Sequence, residues 1–154
     1  MNDKFLVIDV EMANNNITSI CQIGLAVFQG GKLNYSWESL INPDGDFGYY
    51  QTRVHGITKE HVANSPKLAD VAGYIRSLIE DQTVFSYGMS DCSALMDSLP
   101  LPQCVWSDAS QVARRTWDYG KNRRKLEDAC TEQGIIIKQA HHALSDAVAT
   151  GELM

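Results

Sequence analysis

Two acids interrupt an apolar run near the start of the chain: Asp9 and Glu11 in FLVIDVEM, residues 5–12. In an extended strand, residues i and i+2 point to the same face, so both carboxylates aim at one place. Like charges so close repel, and a buried carboxylate without a partner is costly. The pair therefore needs a compensating cation, either a basic side chain or a metal. Asp91, at a predicted helix start, and Asp146, in the otherwise small and apolar AHHALSDAVATGEL, occupy similar settings. Four converging carboxylates make chemical sense around Mg²⁺ or Mn²⁺, hard ions that take oxygen ligands. Two such ions a few ångströms apart are a recurrent device for phosphodiester cleavage. A histidine beside them can take a proton from water near neutral pH. His141 and His142 are the candidates, and spacing alone favours His142, four residues before Asp146 on one helix face.

The acids need a scaffold, and the chain spells out an α/β one. Residues 4–10 read as a strand. SICQIGLAVFQ alternates Cys21, Ile23, Leu25 and Val27 against Gln22, Gly24 and Ala26, and KLNYSWESLI alternates Leu33, Tyr35 and Trp37 against polar residues. Gly30-Gly31 between them predicts a hairpin. NPDGDFGYY reads as loop. Ser65-Pro66 predicts the start of an amphipathic helix over 66–80, with Leu68, Val71, Ala72, Ile75, Leu78 and Ile79 inward. Strands are expected over 83–87 and 104–108. Helices are expected over 91–97 and 109–117, in a segment closed by Gly134, and over 142–153. An antiparallel hairpin followed by alternating strands and helices implies a mixed sheet flanked by helices.

Composition narrows the class. A chain of 154 residues with 44% apolar and 21% charged residues is expected to form a single domain over 1–154 with one core. No apolar stretch is long enough to span a bilayer, and MNDKFLVIDV lacks a signal-peptide cleavage site, so a cytoplasmic protein is expected. The four scattered cysteines have neither zinc-site nor disulfide spacing and read as small buried side chains. A net charge of −6 disfavours a protein that coats nucleic acid through its phosphates. Positive charge is gathered in Arg114, Arg115, Lys121, Arg123, Arg124 and Lys125, whose default reading is a solvated face.

VIDVEM, YGMSD and HHALSDA resemble the three motifs of the DEDD-type 3′→5′ exonucleases, in the H-x-A-x-x-D (DEDDh, DnaQ-like) variant. TSICQIGLAVFQGGKL, SLINPDG, VHGIT and VARRTWDYGKNRRKLEDACTEQGI resemble that group's second and third strands, connecting loop and penultimate helices, so the likeness covers essentially the whole chain. The resemblance implies a ribonuclease-H-like fold with a five-stranded mixed sheet, two Mg²⁺ or Mn²⁺ ions per site, and release of nucleoside 5′-monophosphates from single-stranded DNA or RNA 3′ ends or short oligonucleotides. It matches Asp9, Glu11 and Asp146 to the metal-holding acids, Asp91 to the acid completing the site, and His141, not His142, to the general base. Met12 and His55 match positions near the terminal nucleotide. A homodimer is an option that no residue decides.

The middle motif departs from the group's usual His-Asn-Ala-x-Phe-Asp: here it reads Ser86-Tyr87-Gly88-Met89-Ser90-Asp91, and only the acid is kept. Tyr87 is a candidate to stack on a base. The departure also supports a rival expectation, a non-catalytic nucleic-acid-binding or polymerase-associated module that retains the fold.

Overall fold

The apolar run carrying Asp9 and Glu11 forms strand β1 (Lys4–Met12), and it lies at the centre of the sheet. The computed structural model describes residues 4–117 and 124–154. Strands β2 (Ile20–Gln29) and β3 (Lys32–Leu40) form the expected hairpin, with Gly30 and Gly31 at φ 58° and 72°, the left-handed pair that a two-residue turn requires. Then follow α1 (Tyr49–His55), α2 (Lys59–Val62), α3 (Leu68–Ile79), β4 (Thr83–Ser86), α4 (Ser90–Ser98) and β5 (Val105–Asp108). Helices α5 (Ala109–Thr116), α6 (Leu126–Gln133) and α7 (Ala143–Leu153) complete the described elements. The strand order is β3-β2-β1-β4-β5, antiparallel through β3, β2 and β1 and parallel through β1, β4 and β5.

The two faces of the sheet carry different layers. Leu6, Ile8 and Val10 of β1 and Ile23, Leu25 and Val27 of β2 pack with Ala72, Ile75 and Ile79 of α3 and with Ala94, Leu95 and Leu99 at α4. Each fully buried Ile or Leu there contributes roughly 1.5–3 kcal/mol. On the other face, Val7, Ala26 and Phe28 meet Ala147 of α7, and α5 and α6 pack on α7 through Ala113, Leu126, Ala129, Cys130, Ala149 and Leu153.

Several boundaries differ from the sequence reading. Helix α3 starts at Leu68 rather than 66, because the Asp70 carboxylate accepts the Lys67 backbone N–H at 2.8 Å and so sets the N-terminus at Lys67. Helix α1 overlaps the two segments read as loop, NPDGDFGYY and VHGIT, and α2 follows them. Helix α1 buries none of its residues, so it carries no apolar period to detect. The second strand is buried on both faces: Gln22, Gly24 and Ala26, read as the outer face of an alternation, are the floor for α7. Cys21, Cys92 and Cys130 are buried as expected, while Cys104 is partly exposed.

That floor sets where α7 can sit. A Cβ on Gly24 would lie 2.1 Å from the Leu144 backbone N, and one on Gly151 would lie 2.0 Å from the Phe28 ring. The Gln22 side-chain oxygen accepts the Ala143 N–H at 3.0 Å, capping a free donor at the start of α7. Gly24 is the β2 partner of Asp9, and Gln22 that of Glu11. The close approach therefore brings the first turn of α7 beside the acids of β1. Gly24→Ala should cost roughly 1–3 kcal/mol by overpacking, read as a lower urea midpoint, and should lower any activity that needs Asp146 in place.

Candidate active site

Asp9 and Glu11 are half-buried, on the α7 face of β1. A bulge follows them: Glu11 pairs with Gln22 but Met12 pairs with Ile20, which turns the strand end beyond the acids. Asp146 is buried in the first turn of α7, and Asp91 is buried in the first turn of α4, whose N-cap is Met89. Asp91 thus lies inside the helix rather than capping it. One atom each from Glu11, His141 and Asp146 lie within 4.8 Å of one another. Asp9 joins them electrostatically. Burial, and then the charges of Asp91, Glu11 and Asp146, hold its carboxyl well above the usual range. Burial, followed by Asp146 and Asp91, pushes Glu11 up to about 8. Burial raises Asp146 to about 6, opposed by the His141 backbone N–H.

A buried Asp146 Oδ1 has no hydrogen-bond partner among the described residues, and its other oxygen accepts the His141 N–H at 3.0 Å. An all-oxygen set with an imidazole at its margin, uncompensated charge and an orphaned carboxylate oxygen is what a hard divalent cation would satisfy. Glu11 and Asp146 are the carboxylates of that group, and Asp9 and Asp91 are tied to them through their charges.

The two adjacent histidines are turned to different places. His141 has φ 58°, a left-handed backbone uncommon outside glycine, in the turn before α7. Its side chain is half-exposed, and its Nε2 lies 3.3 Å from Glu127 Oε1 in the first turn of α6. His142 is the N-cap of α7, with Nε2 3.2 Å from the Gln22 amide nitrogen and 3.4 Å from Glu38 on β3. The i,i+4 spacing that favoured His142 therefore does not bring it into the cluster, because the helix begins just after it.

His55 closes α1. Its Nε2–H donates to the Met12 carbonyl at 3.1 Å and its Nδ1 accepts the Ile57 N–H at 3.0 Å, which fixes the tautomer. Burial lowers its pKa, against the opposing Met12 hydrogen bond, so the ring is neutral near pH 7. His55 walls a cleft of about 450 Å³ that opens from Glu11 and Met12 and is lined by Ile17, Tyr50 and Val54. A second cleft, about 500 Å³, is also lined by His55 and lies beside Gln22, Glu38 and His142.

Tyr87 packs with the α5–α6–α7 cluster, and its hydroxyl donates to the Arg124 carbonyl at 3.0 Å. The altered segment around it is tightly held: Ser86 Oγ accepts Trp106 Nε1–H at 2.9 Å, and the Gly88 N–H donates to Asp108 at 2.9 Å. Of the basic cluster, Arg124 pairs with Glu132 at 3.3 Å and Arg115 is exposed, whereas Lys121 and Arg123 lie outside the described residues. Glu127 was missed by the sequence reading. Beside Asp128 it looks like an ordinary acid complementing a helix N-terminus, and only the fold singles it out.

Solved structures that share this fold include nucleases. Exonuclease X in complex with 5′ overhanging duplex DNA superimposes with a TM-score of 0.80 at 21% identity, over 97% of this chain and 87% of that one. The nuclease domain of 3′hExo, a DEDDh family member bound to rAMP, gives 0.81 at 12% identity, over 99% and 90%. These likenesses show a ribonuclease-H-like α/β fold. The profile of the RNase_T exonuclease family matches residues 6–154, and the chain belongs to that family. Among curated relatives, it is 26% identical over 157 residues to the 3′-5′ exonuclease DinG of Bacillus subtilis and 26% identical over 160 residues to the PolC-type DNA polymerase III of Streptococcus suis. It covers 96% and 97% of itself in these matches but only 17% and 11% of those proteins' lengths. No helix among the described residues is long and apolar enough to cross a membrane.

The raised carboxyls make a pH prediction. In metal-free protein the folded pKa of Glu11, about 8, exceeds its ordinary 4.5, and that of Asp146, about 6, exceeds 3.8. Between these values the folded state binds more protons than the unfolded one, so stability falls as pH rises through them. The Tm of EDTA-treated protein should decline from about pH 5 to about pH 8, and Glu11→Gln should remove much of that decline. Mn²⁺ should raise Tm more at the upper end of this range. A flat profile would show that the acids are already compensated within the chain.

Proposed function

We propose that this chain is a metal-dependent 3′→5′ exonuclease that releases nucleoside 5′-monophosphates from single-stranded DNA or RNA ends or short oligonucleotides. The carrying observation is the Glu11–His141–Asp146 cluster, electrostatically tied to Asp9 and Asp91, in a chain of the exonuclease family. Support for the polarity comes from DinG, named a 3′-5′ exonuclease. Support for both sugars comes from Exonuclease X, seen with DNA, and 3′hExo, seen with rAMP.

In this reading Asp9, Glu11, Asp91 and Asp146 hold two Mg²⁺ or Mn²⁺ ions. When bound, those ions lower the cost of ionising the attacking water and stabilise charge on the leaving oxygen. His141 takes the proton of that water at Nδ1, the nitrogen left free by the Nε2 contact to Glu127. Met12, Tyr50 and Val54 offer apolar surface to the terminal nucleoside in the cleft beside Glu11. His55, neutral and fixed at both nitrogens, keeps that wall in place. Tyr87, engaged by its packing and by its hydrogen bond to the Arg124 carbonyl, supports the start of α6 in this reading rather than stacking on a base.

The test is to incubate 5′-labelled single-stranded DNA and RNA oligonucleotides with the protein in Mn²⁺ or in EDTA. A ladder shortening from the 3′ end, absent in EDTA, is expected. Asp9→Ala should nearly abolish it with the fold intact by circular dichroism, and His141→Ala should slow it roughly 10²- to 10⁴-fold. No shortening of either substrate by folded, metal-supplied protein would favour a binding module without catalysis.

A further inference from the structure

Glu127 stands where a fifth carboxylate is least welcome. It is close enough to Asp146 to add to the repulsion there, and its Oε1 is 3.3 Å from His141 Nε2. A carboxylate that contributed only charge would worsen an already unfavourable site. Among the described residues, its compensating contact is to the imidazole. Because His141 Nε2 faces an acceptor, that nitrogen carries the hydrogen, and Nδ1 keeps its lone pair. The left-handed turn at His141 places its backbone N–H on Asp146 and its ring toward Glu127, so the residue is gripped from two sides.

The helix that presents Glu127 is itself anchored through the segment where this chain departs from its family. Tyr87 Oη donates to the carbonyl of Arg124, three residues before Glu127 and immediately before the Lys125 N-cap of α6. The Tyr87 ring packs against the cluster containing Leu126, Ala129 and Cys130 of the same helix. Ser86 and Gly88, on either side, are hydrogen-bonded to Trp106 and Asp108 and so give Tyr87 a firm base on β4 and β5. The replaced middle motif thus connects the strand layer to α6 and, through Glu127, to His141.

We propose that Glu127 is a positioning residue that sets the tautomer and orientation of His141, and that Tyr87 secures the helix carrying it. The proposal rests on the reading of His141 as the proton acceptor, and a third group that orients the base is a recurrent feature of such sites.

The first test does not depend on activity. In ¹⁵N-labelled protein, long-range imidazole spectra should show His141 in the Nε2–H tautomer, and Glu127→Ala should abolish that preference. Glu127→Gln, which keeps an acceptor oxygen, should retain it. In single-strand degradation assays, Glu127→Ala should lower kcat roughly tenfold to a hundredfold with KM nearly unchanged. Glu127→Gln should restore most of the rate, and Tyr87→Phe should lower kcat by less, in the same direction. A His141 tautomer that does not respond to Glu127→Ala would overturn the proposal. So would an increased kcat, which would make the contact a parking position, or a matching loss of Mn²⁺ affinity, which would make Glu127 a metal ligand. Inactive wild-type protein with a Glu127-dependent tautomer would instead refute the nuclease reading alone.

Discussion

Mutual repulsion among buried carboxylates is the constraint around which this protein is organised. Asp9, Glu11, Asp91 and Asp146 come from β1, α4 and α7; burial is the first cause of every raised carboxyl, neighbouring acids add to it at Asp9 and Glu11, and the His141 N–H opposes it at Asp146. A fold selected for stability alone would not gather them. Apolar packing on both faces of the sheet must hold them together against that repulsion, and much of the architecture serves this end. The centre strand carries two of the acids. The sheet is deeply buried beneath them, with Ile8, Ile23 and Leu25 fully enclosed on the opposite face.

The second requirement is proximity between β2 and α7. Bulky side chains on β2 would hold the helix off and carry Asp146 away from Asp9. Gly24, Ala26 and Gln22 instead let it lie down, two by being small and one by capping the helix start. On the helix, Ala143, Ala147 and Gly151 recur at four-residue spacing and form the complementary shallow face. The chemistry at one end of this contact and the packing along it are therefore the same structural decision.

The sequence made the acids legible because they violated a pattern, being charged in an apolar run. It made α3, the hairpin and the Gly134 terminus legible because each obeys a strong local rule: helical apolar spacing, a Gly-Gly turn, and a glycine at φ 71° after a helix. What stayed hidden depends on partners distant in the chain. Helix α1 has no buried face, so nothing in its own residues distinguishes it from loop. Gln22, Gly24 and Ala26 look like the solvent side of an alternating strand until α7 is placed on them. The contact of His141 with Glu127 depends on the mutual placement of α6 and the turn before α7, which no local spacing encodes.

The acids sit far apart in the chain, Asp9 on the first strand and Asp146 on the last described helix, and meet only when that helix docks. During synthesis, β1 to β5 can emerge and begin to pair while the residues of α7 are still within the ribosome. Such an intermediate has a partly formed sheet but no complete set of ligands. The centre proposed to act on nucleic acid ends would thus form only after the sheet has begun to pair, next to the ribosome's own RNA. Local fraying of α7 would dismantle that centre before the sheet is lost, so a damaged copy would fall silent while still largely folded.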